Sequence, residues 1–134
     1  MKLVLDTSAL ISAAILKGSI TDRAIRKAFT DHSIIRSLPV TTELEVTLKK
    51  KKFEKYFRSE YEKDLFIHLY RLQSKLIKVN HTVSICRDQS DNMFLELALS
   101  GQADLIITSD PDLLILNPFE NISIVTPKEF LEKF

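Results

Sequence analysis

A chain of 134 residues with 45% hydrophobic and 28% charged residues is long enough for one domain with a core of its own, and its balance excludes a disordered or fibrous protein. No apolar run reaches the ~20 residues that span a bilayer, and a single cysteine, Cys86, excludes an internal disulfide or a cysteine-based zinc finger. The net charge of +1 gives no global pull toward nucleic acid, yet the charges are segregated, with Lys49, Lys50, Lys51 and Lys52 in one run and Asp88, Asp91, Asp104, Asp110 and Asp112 gathered later.

Leu3-Val4-Leu5 is a short apolar run that stops at Asp6 and reads as a buried strand. Asp6 also falls too early for a secretory apolar segment, so a soluble, cytoplasmic single domain over residues 1–134 is expected. Thr7 or Ser8 can cap a helix from Ala9 to Leu16, and Gly18 ends it. Ser19 to Asp31 reads as a second helix, and Ser33-Ile34-Ile35-Arg36 as a second strand. Pro39 breaks the chain, after which Thr41 or Thr42 can cap a helix running through Glu43 to the lysines. Ser59 can cap a long helix, on which Tyr61, Leu65, Leu69, Leu72 and Leu76 form one apolar stripe. Residues 76–79 read as a short strand. Ser90 can cap a helix through Phe94 and Leu99 that Gly101 ends. Leu105-Ile106-Ile107-Thr108 is a further buried strand, stopping at Asp110; Ile122 to Val125 is the last strand, and Pro127 can open a closing helix to Phe134.

Strands that alternate with helices predict an α/β fold, with a mostly parallel sheet covered on both faces. Ligands of such folds bind beyond the carboxyl ends of the strands, near the topological switch point. Asp6 and Asp110 each follow a strand directly, so both are predicted at that edge. Asp91 opens a helix after a polar segment that can return there, and Glu43 lies near the start of another helix. Carboxylates brought together repel and raise one another's pKa unless a cation compensates. Hard oxygen donors suit Mg²⁺ or Mn²⁺, and an ion so held can lower the pKa of a bound water and neutralise charge on a phosphodiester. Each acid also has a plain structural reading: Asp6 as a helix cap, Asp91 as a first-turn acid, Asp110-Pro111-Asp112 as a turn, and Glu43 as a surface helix acid. Spacing alone does not show that they meet.

Four blocks resemble the PIN domain family. They are Leu5-Asp6-Thr7-Ser8-Ala9-Leu10, Glu43 to Leu48 with Lys52-Phe53 after it, Cys86 to Ala98, and Ala103 to Leu114; the tail Ile124 to Leu131 fits as well. The blocks cover nearly the whole chain in the family's order and lie nearest to toxins of toxin–antitoxin pairs. The resemblance implies a three-layer α/β/α sandwich and a Mg²⁺- or Mn²⁺-dependent endoribonuclease. It carries Asp6, Glu43, Asp91 and Asp110 over as catalytic acids, with Asp6, Asp91, Asp110 and Asp112 on the metal. Thr108 matches a supporting hydroxyl, Asp88 the first acid of the third block, and Thr7 and Ser8 follow the first acid. Ser109 stands where glycine is usual, and Gln89-Ser90 replaces a stretch that usually contains proline. The implied partners are RNA, an antitoxin protein and a second copy of the chain, with no membrane.

Outside these blocks, Lys49, Lys50 and Lys52 suit either an RNA backbone or the solvated end of a helix. His32, His68 and His81 have no metal-ligand spacing, and Cys86 reads as a small buried residue. No phosphate-cradling glycine motif is present. A housekeeping RNA-processing nuclease and a catalytically idle RNA- or protein-binding scaffold remain open as alternatives.

Overall fold

The apolar runs become the strands of one sheet. The computed structural model describes residues 1–134. Strand β1 (Lys2–Leu5) is followed by helices α1 (Thr7–Ile15) and α2 (Ile20–Asp31), then β2 (Ser33–Arg36). Helix α3 (Leu38–Leu48), a 3-10 segment (Lys51–Tyr56) and α4 (Glu60–Leu72) lead to β3 (Ser74–Leu76). A 3-10 turn (Gln89–Asp91) runs into α5 (Asn92–Ser100), then β4 (Leu105–Ile107), α6 (Pro111–Leu114), β5 (Ser123–Val125) and α7 (Pro127–Lys133). No helix is long and apolar enough to cross a membrane.

The five strands lie in the order β3-β2-β1-β4-β5, and every pairing is parallel. The α/β/α architecture is as expected, with a wholly parallel sheet. Side chains alternate across it. Leu3, Leu5, Ile34, Leu105 and Ile107 join the core shared with α1, α2, α4 and α7. Val4, Ile35, Ile106 and Ile124 join the core shared with α5. Burial on both faces explains the near-continuous apolar runs of β1 and β4. The chain leaves β1 toward β2 on one side, while β4 takes the other side. The switch point therefore falls between β1 and β4, where register pairs Leu5 with Ile107.

Several local expectations are corrected. Asp6 caps α1, not Thr7 or Ser8, its carboxylate accepting from the Ala9 N–H at 2.8 Å. Pro39 does not break the chain before α3; it sits in that helix's first turn, where a missing N–H costs nothing. The cap is accordingly Ser37, which accepts from the Val40 N–H at 3.2 Å, rather than Thr41 or Thr42. Strand β3 begins two residues earlier than read, at Ser74, because it pairs with Ile34 of β2. Helix α5 begins at Asn92, the 3-10 turn taking up Ser90. The lysine run lies past the end of α3, Lys49 being the C-cap and Lys51 opening the 3-10 segment. Of the predicted stripe, Leu76 lies in β3 rather than on α4, and Tyr61, Leu65, Leu69 and Leu72 are on the exposed side of α4, while Lys63, Ile67 and Tyr70 are the residues that α4 buries.

The capping of α3 gives a direct test. Ser37→Ala is expected to lower unfolding stability by about 1 kcal/mol, since a buried N–H loses its acceptor. Thr42→Ala, at an exposed position on the same helix, is expected to stay within about 0.5 kcal/mol of the parent. Urea denaturation of the two variants reads the difference, and the reverse ranking would return the cap to the threonines.

Candidate active site

The register of β1 and β4 builds the site from the backbone up. Asp6 is the first residue beyond β1, and its N–H donates to the Ile107 carbonyl at 3.2 Å. Thr108 is the first beyond β4 and is fully buried. Its hydroxyl donates to Asp6 Oδ2 in a short hydrogen bond and accepts from the Asp110 N–H at 3.0 Å. One hydroxyl thus links two acids on neighbouring strand ends. On its other oxygen, Asp6 accepts from the Ala9 N–H and from Ser8 Oγ at 2.9 Å. Burial pushes the Asp6 carboxyl above its ordinary range; the donors Thr108, Ala9 and Ser8 pull it down, and the charge of Asp110 pushes it up again.

Asp110 caps α6, Oδ1 accepting from the Asp112 N–H at 2.9 Å. That cap turns Asp112 back toward Asp110. Asp91 arrives from the opposite side, at the junction of the 3-10 turn and α5. One oxygen from each of Asp91, Asp110 and Asp112 lies within 4.8 Å of the other two. Asp91 is buried, and its Oδ2 has no hydrogen-bond partner. Burial first, then the Asp110 carboxyl beside it and the charges of Asp88 and Asp6, raise its pKa to about 7. The charges that act most strongly on Asp91 are all negative.

Asp88 is exposed and works within its own turn, accepting from Ser90 N–H at 3.0 Å and Ser90 Oγ at 2.7 Å, which holds its carboxyl below the usual range. Ser8 is exposed and serves Asp6, whereas the hydroxyl of Thr7 is buried without a partner. Glu43 is not in the three-acid group: its half-buried carboxylate accepts from Thr47 Oγ1, one turn along α3, at 3.3 Å. Lys49, Lys50 and Lys52 are exposed, with Lys52 Nζ 5.1 Å from the centre of the Phe53 ring.

Two residues of the site escaped the sequence reading. Asn92 is buried, and its Oδ1 accepts from the Cys86 N–H at 3.0 Å. Glu96 accepts from the Val83 N–H at 2.9 Å. Together they pin the coil before Asp91 onto α5. Cys86 is buried as expected, but its thiol also feels the acids. Burial and then the charges of Asp91, Asp110, Asp112 and Asp88 push it up to about 11, which keeps it a thiol at neutral pH. The adjacency of Asn92 to Asp91 was the available signal; nothing local tied Asn92 to Cys86.

A buried carboxylate oxygen with no donor, inside a group of three acids, is the arrangement a hard divalent cation completes. Without such an ion, the raised carboxyl of Asp91 sets a pH dependence of stability. Between the ordinary carboxyl pKa of 3.8 and about 7, the folded chain holds a proton that the unfolded chain has lost. Stability in chelator is therefore expected to fall as pH rises through that window. Asp91→Asn is expected to flatten that slope, because the amide has no proton to lose. Urea midpoints at pH 5, 6 and 7 for both proteins check this; parallel slopes would refute the assignment to Asp91.

Comparison with known proteins identifies the family. The sequence profile of the PIN domain matches residues 2–112. An uncharacterized protein of Methanocaldococcus jannaschii is 30% identical over 143 aligned positions, covering all of this chain and 92% of its own length. The crystal structure of VapBC2 from Rickettsia felis, bound to a DNA fragment from its promoter, contains a chain that superposes with a TM-score of 0.64 at 15% identity. That match covers 94% of this chain and 98% of the other, and it establishes the likeness of fold. The chain belongs to the PIN domain family, whose members are nucleases.

Proposed function

We propose that this chain is a metal-dependent endoribonuclease that hydrolyses RNA phosphodiester bonds, and that it is the toxin of a toxin–antitoxin pair acting in the cytoplasm. The observation that carries the first part is the unpartnered, buried Oδ2 of Asp91 beside Asp110 and Asp112. Asp91, Asp110 and Asp112 would hold Mg²⁺ or Mn²⁺, with Asp6 beside them through Thr108. When bound, such an ion supplies Lewis-acid stabilisation of the phosphodiester and a water of lowered pKa. The protein's own part is positional. Thr108 fixes the Asp6 carboxylate, and the α6 cap fixes Asp110 against Asp112. Glu43, which the family resemblance carries over as a catalytic acid, keeps a place in the proposal although it lies outside the three-acid group. Exposed Lys49, Lys50 and Lys52 can follow an RNA backbone, where phosphate contacts supply affinity without reading sequence. Ser8 supports Asp6 through its hydroxyl, and Asp88 holds the turn that leads into Asp91.

The partner inferred is an antitoxin, and the likeness to a VapBC2 chain supports it. A groove of about 780 Å³ between α1, α2 and α4, walled by Leu10, Ile25, Phe29, Phe66 and Leu69, offers that protein an apolar seat.

The test is cleavage of a panel of structured and single-stranded RNAs with Mn²⁺, Mg²⁺ or chelator. The parent is expected to cut only with metal. Asp6→Asn and Asp110→Asn are each expected to lose at least about 100-fold in rate, the scale of removing one electrostatic group from a preorganised site. Cleavage that survives both substitutions would place the site elsewhere. Neither cleavage nor metal binding by the parent would leave a scaffold in place of an enzyme.

A further inference from the structure

The acidic stretch of the chain holds a single strong cation. Between Lys78 and Lys128 the sequence has seven acids and one Lys or Arg, Arg87. Arg87 stands in the coil that leads to Asp91, between buried Cys86 and exposed Asp88. A guanidinium among so many carboxylates is expected to pair with one of them. It pairs with none. The ion pairs of the chain join Arg26 to Asp22, Lys63 to Glu60, Arg71 to Glu45 and Lys133 to Glu129. Asp88, the acid next to Arg87 in sequence, accepts from the N–H and the hydroxyl of Ser90 instead.

The backbone on either side of Arg87 is held. The Cys86 N–H donates to Asn92 Oδ1 at 3.0 Å, and the Asp88 carbonyl accepts from the Asp91 N–H at 3.0 Å. Cys86 turns inward, where the charges of Asp91, Asp110 and Asp112 act on its thiol, while Arg87 is exposed to solvent. The coil thus sets an unpaired guanidinium beside the three-acid group, at a position fixed from both sides. The fold makes no use of its donors, which are open to an anion from outside.

We propose that Arg87 binds a phosphate of the RNA backbone next to the one that is cut. The proposal rests on the nuclease reading. The scissile phosphate belongs to the ion that Asp91, Asp110 and Asp112 would hold, and the turn from Asp88 to Asp91 keeps Arg87 outside that group. A polyanion that approaches these acids is repelled wherever the ion does not reach. One arginine at the margin gives the neighbouring phosphate a partner of opposite charge. The planar fork of a guanidinium matches two phosphate oxygens, and such a contact reads no base. Arg87 is therefore a point of grip separate from Lys49, Lys50 and Lys52, which come from another segment.

Fluorescence anisotropy of short labelled single-stranded RNAs tests it, over a series of salt concentrations and with Ca²⁺ in place of Mg²⁺ to slow cleavage. Arg87→Gln is expected to weaken binding about tenfold and to reduce the slope of log K against log salt by about 0.7, the share of one phosphate on a single strand. The loss should be the same for RNAs of different sequence. Arg87→Lys keeps the charge and should keep the slope, while losing part of the affinity with the fork. Lys2→Gln removes one exposed charge at the amino end of β1, the opposite edge of the sheet, and should leave binding unchanged. In cleavage with Mg²⁺ or Mn²⁺, Arg87→Gln should raise KM about tenfold and hold kcat within about twofold, because the contact is already made in the ground state. Circular dichroism confirms that each variant is folded. Equal binding by Arg87→Gln and the parent, an equal loss in Lys2→Gln, or a loss of kcat at unchanged KM would overturn the role of Arg87 and leave the nuclease reading standing. A parent that neither binds nor cuts RNA would overturn that reading, and this proposal with it.

Discussion

The Thr108 hydroxyl is the joint on which the site depends. It is buried, it donates a hydrogen bond to Asp6, and it accepts one from the Asp110 N–H. Two acids on adjacent parallel strands would otherwise be free to swing apart under their own repulsion. The joint exists only because β1 and β4 are neighbours, with Leu5 level with Ile107. A one-residue slip in that register would turn Thr108 to the opposite face of the sheet and separate the acids. The chemistry of the rim therefore rests on apolar packing below it, since Val4, Leu5, Ile106 and Ile107 hold the two strands in step.

The acids differ in how the fold compensates them. Asp6 is more deeply buried than Asp91, yet it has three donors: the Thr108 and Ser8 hydroxyls and the Ala9 amide at the head of α1. These offset part of the desolvation that raises its pKa. Asp110 spends one oxygen on its own helix cap. Asp91 has burial and negative neighbours, and no donor reaches its Oδ2. The cost of placing charge there is left open at one atom of a carboxylate grouped with two other acids. A chain selected only for stability would fill such a position with an amide or an apolar group. Retaining three acids there makes sense where a cation supplies the missing charge.

Much of this was legible in the sequence for a simple reason. Leu3-Val4-Leu5-Asp6 and Leu105-Ile106-Ile107-Thr108-Ser109-Asp110 are apolar runs that end in acids, and a buried parallel strand leaves its next residue at the sheet's edge. Asp91 was legible as a helix-start acid. What local pattern could not convey was distance between segments. Glu43 has the right residue type and lies in a matching block, yet it hydrogen-bonds within α3 and stays outside the three-acid group. Asn92 and Glu96 looked like helix filler until the coil before Asp91 was seen to hang from them. The start of α3 was misread because proline signals both a break and a first turn, and only the buried Ser37 acceptor distinguishes the two.

Helix α4 shows the same limit in another form. Periodicity reveals that a helix has an apolar stripe; it does not reveal what the stripe faces. The usual inference puts leucines inward, and here they point out, while Lys63 occupies the inner face. A lysine can do so because its four-carbon stem is apolar and its amine can reach back to Glu60 at the margin. The inner face joins the core through Ile67 and Tyr70, with the half-buried Phe66 packed beside them. Leu65 and Leu69 stay at the margin of that packing, lining the groove with Leu10 and Phe29. Periodicity thus reveals the stripe, while the burial of Lys63, Ile67 and Tyr70 decides which side of α4 meets the core.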